Sequence, residues 1–271
     1  MRDIAKRPIG IFDSGIGGLT VVAEIIKRLP NEDIVYFGDT GRYPYGGRSP
    51  EVIKRFSRQN VRFLLMKKVK YIIVACNTAS SLALNSIKRN FDIPMIGVIK
   101  PGAYGAVSNT KNKKIGVIGT VGTVSSSSYT KAIAELDKNV EVTAIATPLL
   151  VALAEEGYVD KPASMLIIKD YLSPLRKRGI DTLVLGCTHF PLLRKAIGSI
   201  MGKDVMLIDS AEWTVKMLKE DLLKRNLLKN SSSPGKYRYF VSDTPDKFAK
   251  VGSRFLGATV SPVKKVNIEK Y

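Results

Sequence analysis

Hydrophobic residues fall in short runs along the chain, separated by longer stretches with helical spacing. The runs at 9–13, 34–38, 71–75 and 94–98 read as strands, and a second set follows at 115–119, 140–146, 182–186 and 205–209. Ile72-Ile73-Val74-Ala75 is apolar without a break. That pattern belongs to a strand covered on both faces, since alternation arises only where one face meets water. Leu19, Val22, Ile26 and Leu29 share one helical face, and Pro30-Asn31 ends that helix. Ser49 caps the next one, Pro50 sits in its first turn, and Val52, Phe56 and Phe63 line its inner face. Asp209-Ser210-Ala211-Glu212 reads as a capping box before a long amphipathic helix reaching about residue 228. After a polar loop at 230–235 the chain predicts a strand at 237–241, a helix near 246–256 and a last extended piece.

Alternating strands and helices define an α/β protein with mostly parallel sheets. Two sets of four strands suggest two similar α/β domains related by pseudo-symmetric duplication. Ile9-Gly10-Ile11-Phe12-Asp13-Ser14-Gly15 echoes Ile115-Gly116-Val117-Ile118-Gly119-Thr120-Val121. In the third strand of each set, Val74-Ala75-Cys76-Asn77-Thr78 is matched by Leu185-Gly186-Cys187-Thr188-His189. Ligands in open α/β sheets bind outside the carboxyl ends of the strands, so two facing halves would bring both thiols to one interdomain cleft. The expected division is 1–100 plus 211–271 for the domain holding Cys76, and 101–210 for the domain holding Cys187.

Composition narrows the setting. No apolar run approaches the roughly 20 residues of a membrane span, and the N-terminus lacks a secretory apolar segment. Two cysteines in 271 residues form no disulfide framework. A reducing, cytoplasmic protein with no membrane partner is expected. The formal charge of +19, from 43 Lys and Arg against 24 Asp and Glu, would attract nucleic acid, anionic membrane or acidic small molecules. A solvated basic surface is the plainer reading. Lys111-Asn112-Lys113-Lys114 and Arg176-Lys177-Arg178 are the only basic runs, and no nucleic-acid-binding signature accompanies them.

The thiols admit several chemistries. Cys76, Cys187 and His189 could formally ligate zinc, but no Cys-x-x-Cys or His-x₃-His spacing exists, and the expectation is no metal. A disulfide couple would have to bridge a substrate cleft. A nucleophilic Cys187 has His189 nearby as a base, yet that leaves Cys76 unexplained. Two buried cysteines acting as small apolar residues is the structural alternative. The matched pair fits acid/base work on two faces of one carbon, where one group removes a proton and the other delivers one. A helix N-terminus lowers a thiol pKa, so thiolate and thiol can coexist. Gly15-Ile16-Gly17-Gly18-Leu19-Thr20 fails the dinucleotide pattern at Thr20, and no P-loop exists. These glycines read as a tight turn admitting substrate to the backbone. A pyridoxal phosphate enzyme would leave the matched cysteines without a role.

Four segments carry a resemblance: residues 13–20 (DSGIGGLT), 38–46 (GDTGRYPYG), 75–79 (ACNTA) and 186–191 (GCTHFP). In this order they resemble bacterial glutamate racemases of the aspartate/glutamate racemase family, along the whole chain. The resemblance implies cofactor-independent interconversion of L- and D-glutamate for peptidoglycan synthesis by a thiolate/thiol pair, Cys76 and Cys187, assisted by Asp13 and His189. It implies substrate contacts from Asp13, Ser14, Tyr45, Gly46, Asn77, Thr78, Thr188 and His189. Thr120 and Thr123 would be the second-half counterpart of Asp13-Ser14. Glu155 matches a further polar residue, although Ala152 stands where the family often has proline, which leaves Glu155 and Glu156 in competition. A homodimer is expected, and nucleic acid or gyrase is a further candidate partner. Some relatives with extended N-termini are activated by a peptidoglycan precursor; with only 12 residues before Asp13, no such control is expected. An aspartate or broad-specificity amino-acid racemase of the same fold is the alternative.

Overall fold

Continuous apolar runs become strands buried on both faces. In the computed structural model, which describes residues 2–271 and side chains from residue 4, β1 (Ile9–Asp13), β2 (Ile34–Gly38) and β3 (Tyr71–Val74) are buried at every residue. With β4 (Met95–Gly97) they form one parallel sheet. The second sheet contains β5 (Lys114–Gly119), β6 (Glu141–Ala146), β7 (Thr182–Gly186) and β8 (Met206–Asp209), again all parallel. Their orders are β2-β1-β3-β4 and β6-β5-β7-β8, the same arrangement twice. The duplication suggested by the echoing motifs is therefore a duplication of topology, and the chain forms two similar α/β units. The tail adds β9 (Tyr237–Val241) and β10 (Val263–Lys265) to the first sheet beyond β2.

This order decides where a site can form. The chain leaves β1 for β2 on one side and returns to β3 on the other, and β5 has the same relation to β6 and β7. A crevice opens at such a switch point, outside the carboxyl ends of the strands. Asp13 ends β1, Gly119 ends β5, and the two cysteines follow β3 and β7.

The helices differ from expectation in detail. Ser49 does cap Pro50–Met66, its side chain accepting from the Val52 N–H at 3.4 Å. The inner face centres on Ile53, Phe56 and Phe63, with Val52 only half-buried, because two adjacent apolar residues compete for one helical face. The capping box is half formed. Asp209 accepts from the Ala211 N–H at 2.9 Å, but Glu212 pairs with Arg28 and Lys216 instead of reaching back. That helix, Ser210–Lys224, stops before residue 228 because Asn226 takes a left-handed φ of 56°. It packs on both Leu19–Arg28 and Ile99–Val107 and so ties the units together. The helix Ile99–Val107 straddles the expected division at 100/101 and packs on β7 and β8. Among the described residues no helix is long and apolar enough to cross a membrane.

Candidate active site

A cavity of about 400 Å³ lies between the carboxyl ends of the two sheets. Ser14, Tyr45, Gly46, Cys76, Asn77 and Thr78 line it from the first unit, and Thr120, Glu155, Cys187, Thr188 and His189 from the second. Eleven of the thirteen expected site residues thus line one cavity. Asp13 and Thr123 lie behind it: Asp13 is fully buried, and Thr123 accepts from the Thr120 hydroxyl at 3.1 Å.

The two thiols have different surroundings. Cys76 itself caps the helix Asn77–Leu82, its sulfur accepting from the Ala79 N–H at 3.5 Å and donating to Ser14 Oγ at 3.6 Å. Burial, reinforced by the nearby Asp13 carboxylate, nevertheless pushes its pKa up to about 12. Cys76 therefore rests as a thiol. Asp13 accepts from the Gly15 N–H at 2.9 Å through Oδ1, while Oδ2 is buried without a partner. Burial raises the Asp13 pKa, against the pull of His189.

Opposite, Cys187 Sγ lies 3.6 Å from His189 Nδ1, and His189 Nε2 lies 2.9 Å from Glu155 Oε1. Burial works against a charged ring, but hydrogen bonds to Cys187 and Glu155 outweigh it and lift His189 to about 10. An imidazolium thus stands beside one sulfur and not the other. The ring is held at 5.2 Å from Phe255, edge to face, and at 6.3 Å from Tyr43. Glu155, and not Glu156, makes the contact to the histidine; burial raises its pKa, but His189 and a hydrogen bond from Tyr43 bring it below the usual range.

The remaining polar atoms suit an anionic ligand. Asn77 accepts from the Tyr129 hydroxyl at 2.8 Å, which leaves its buried Nδ2 without a partner. Thr78 and Thr120 meet across the units, hydroxyl to hydroxyl at 2.9 Å. On the Cys187 side the expected helix start is a 3₁₀ turn, Phe190–Leu193, before the helix Arg194–Met201. Tyr45 lines the cavity with its hydroxyl already engaged by Asp39 and Asn60. Gly17 and Gly18 do not line the cavity. A Cβ on Gly18 would fall 2.7 Å from the Asp13 Cβ, and one on Gly17 would press on Thr188 and His189. Their smallness serves close packing, not the approach of substrate. The sequence reading missed Tyr43, Pro44, Gly47, Val121, Pro148, Val151 and Ala152 in the lining, and Glu156, its alternative to Glu155, lines the cavity as well. Tyr43 and Pro44 sit inside the GDTGRYPYG segment and could have been found there; the apolar members carry no chemical signal.

Two similar parallel α/β units present matched cysteines to one cavity, an architecture shared with a known class of racemases. The chain belongs to the Asp/Glu/Hydantoin racemase family, whose model matches residues 17–218. It is an isomerase. Within that family it is similar to the glutamate racemase of Geobacter metallireducens, with 51% identity over 97% of both chains. A glutamate racemase isoform from Bacillus anthracis superposes with a TM-score of 0.93 at 43% identity, covering 96% of this chain and 97% of that one. The Francisella tularensis glutamate racemase, solved in complex with D-glutamate, gives 0.92 at 40% identity, covering 98% and 100%.

Proposed function

We propose that this chain interconverts L- and D-glutamate by proton transfer at Cα, with Cys76 and Cys187 on opposite faces of the substrate. The observation that carries the reading is the pair of cysteines at equivalent strand ends in one cavity, with His189 beside the Cys187 sulfur at 3.6 Å. In one direction the Cys187–His189 side takes the Cα proton, the bonding electrons pass into the substrate carboxylate, and the Cys76 thiol delivers a proton to the other face. In the reverse direction Cys76 must first lose its proton, and Asp13, with a free buried oxygen near it, is the acceptor. Asn77 Nδ2 and the Thr78, Thr120 and Thr188 hydroxyls hold the two carboxylates. Preorganised donors in the cavity supply most of the stabilisation of the developing charge.

The relatives' shared name supports glutamate over aspartate, and it is also what supports a cytoplasmic role in peptidoglycan synthesis. The domain division at 100/101 and 210/211, a homodimer and a nucleic-acid or gyrase partner remain parts of the proposal to be tested separately. Circular dichroism follows L- to D-glutamate conversion without added cofactor and in chelator. Conversion at a catalytic rate is the expected result, and a flat trace with glutamate but not with aspartate would transfer the reading to the smaller substrate.

The histidine chain sets a pH signature. His189 titrates above its ordinary 6.5, at about 10, so its contribution to stability is complete below about pH 6.5 and is lost as pH rises through about 10. The same proton should set an alkaline limb in kcat/KM. Glu155→Gln removes a charge and a hydrogen bond that favour the imidazolium. The limb should then move to lower pH by about 1 unit, as a pH–rate profile in both directions would read.

A further inference from the structure

Five cavity-lining residues, Tyr43 to Gly47, come from the segment between β2 and the helix Pro50–Met66. No strand or helix holds that segment in place. Side chains do so instead. Asp39 is fully buried, and its N–H donates to the Asp13 carbonyl at 3.0 Å. Its carboxylate accepts from Arg42 Nε at 2.8 Å, from the Tyr45 hydroxyl and from Ser242 Oγ at 2.9 Å. The Arg42 guanidinium also donates to Gln59 at 2.5 Å, Asn60 at 3.1 Å and Glu269 at 3.2 Å. It lies over the Phe56 ring at 4.1 Å. A planar group with five donors can satisfy so many partners at once; an ammonium cannot.

The far end of the segment touches the other unit. The Gly46 carbonyl accepts from the Gly122 N–H at 2.8 Å, and a Cβ on Gly46 would lie 2.8 Å from Thr120 Cβ. The segment is therefore anchored by Arg42 in the first unit and docked on the Thr120–Gly122 turn of the second. Thr120 in turn meets Thr78 in the lining.

We propose that Arg42 is a positioning residue for the substrate cavity: by gathering Asp39, Gln59, Asn60 and Glu269 it fixes Tyr45-Gly46 against the Thr120–Gly122 turn. Through Glu269 the C-terminal turn Ile268–Lys270 takes part in shaping a cavity it does not line. The inference rests on the reading of that cavity as the glutamate site.

The test compares Arg42→Lys, Tyr45→Phe and the double variant. Arg42→Lys keeps the charge but loses the fork, and Tyr45→Phe removes one hydroxyl while leaving the ring. Each single variant should raise KM for glutamate, Arg42→Lys by about tenfold, which is the loss of roughly one good hydrogen bond, with kcat within about twofold of wild type. The double variant should be no worse than Arg42→Lys alone, since both act through one network. Amide exchange should quicken at Gly122 and stay unchanged in β1. An unchanged KM in Arg42→Lys, multiplicative effects in the double variant, or unaltered Gly122 exchange each overturns the proposal. If Arg42→Lys fails to fold, Tyr45→Phe carries the KM and exchange measurements alone. Absence of racemisation in the wild type would defeat the functional reading, while Gly122 exchange would still decide the positioning claim.

Discussion

Cys76→Ala and Cys187→Ala should each lower racemisation by at least about 10³-fold, within the range that a positioned acid or base contributes. Neither loss should abolish all chemistry. Racemisation needs a proton removed from one face and another delivered to the opposite face, but exchange of Cα–H for solvent deuterium needs only one thiol. Each variant should therefore exchange one enantiomer of glutamate in D₂O and not the other, and the two variants should choose opposite enantiomers. The rates should differ as well. Cys187 retains its imidazolium partner at 3.6 Å when Cys76 is removed. Cys76, left alone in Cys187→Ala, keeps the burial that pushes it to about 12. Exchange in Cys76→Ala should be the faster of the two at neutral pH. Proton NMR of each enantiomer in D₂O reads this directly. Substantial racemisation by either variant, or exchange of the same enantiomer by both, would remove the opposed-thiol reading.

Much of the fold was legible because a parallel strand buried on both faces announces itself as an unbroken apolar run. The ends of β1, β2 and β7 coincide with the residues expected. The order of strands was not legible. Nothing local in Ile9–Asp13 says that β2 lies on one side and β3 on the other, yet this switch places the cavity. The cysteine pair could be read because duplication put the two at matched positions. Their inequality was half visible, since His189 follows only Cys187; what holds that histidine was not. Cys76 and Cys187 both precede small polar residues, but only folding brings Glu155, 34 positions before His189, against the imidazole. Asp13 and Thr123 stand behind the lining residues, because position along the chain does not say whether a side chain reaches the cavity surface or packs beneath it. Tyr45 does reach the lining, and nothing in the sequence signalled that its hydroxyl is held by Asp39 and Asn60.

The glycines of residues 15–18 make room for neighbouring side chains and not for substrate. Gly17 does not need a left-handed backbone; its φ is not positive. It needs the absence of a side chain. A Cβ there would lie 2.6 Å from His189 Nδ1, the atom that faces the Cys187 sulfur, and would also meet the Thr188 hydroxyl. Thr20 ties the two sides of this contact together, its hydroxyl donating to the Gly17 carbonyl at 3.0 Å and reaching the Thr188 carbonyl at 3.4 Å. Gly17→Ala must therefore displace the histidine or part the units. Overpacking of this kind costs about 1–3 kcal/mol of stability, which leaves the fold intact. A shift of about 1 Å in a catalytic group costs about 10²-fold in rate, so kcat should fall by about that factor. The loss should be lopsided: in D₂O, exchange of the enantiomer served by Cys187 should suffer first, while the Cys76 half-reaction is largely retained. Gly198→Ala is the control. It lies in the helix Arg194–Met201, where an added Cβ meets only Leu207 at an ordinary 3.6 Å, and it should racemise as wild type does. A Gly17→Ala enzyme with wild-type kcat, or one that loses both half-reactions equally, would show that the glycine does not hold His189 in register with Cys187.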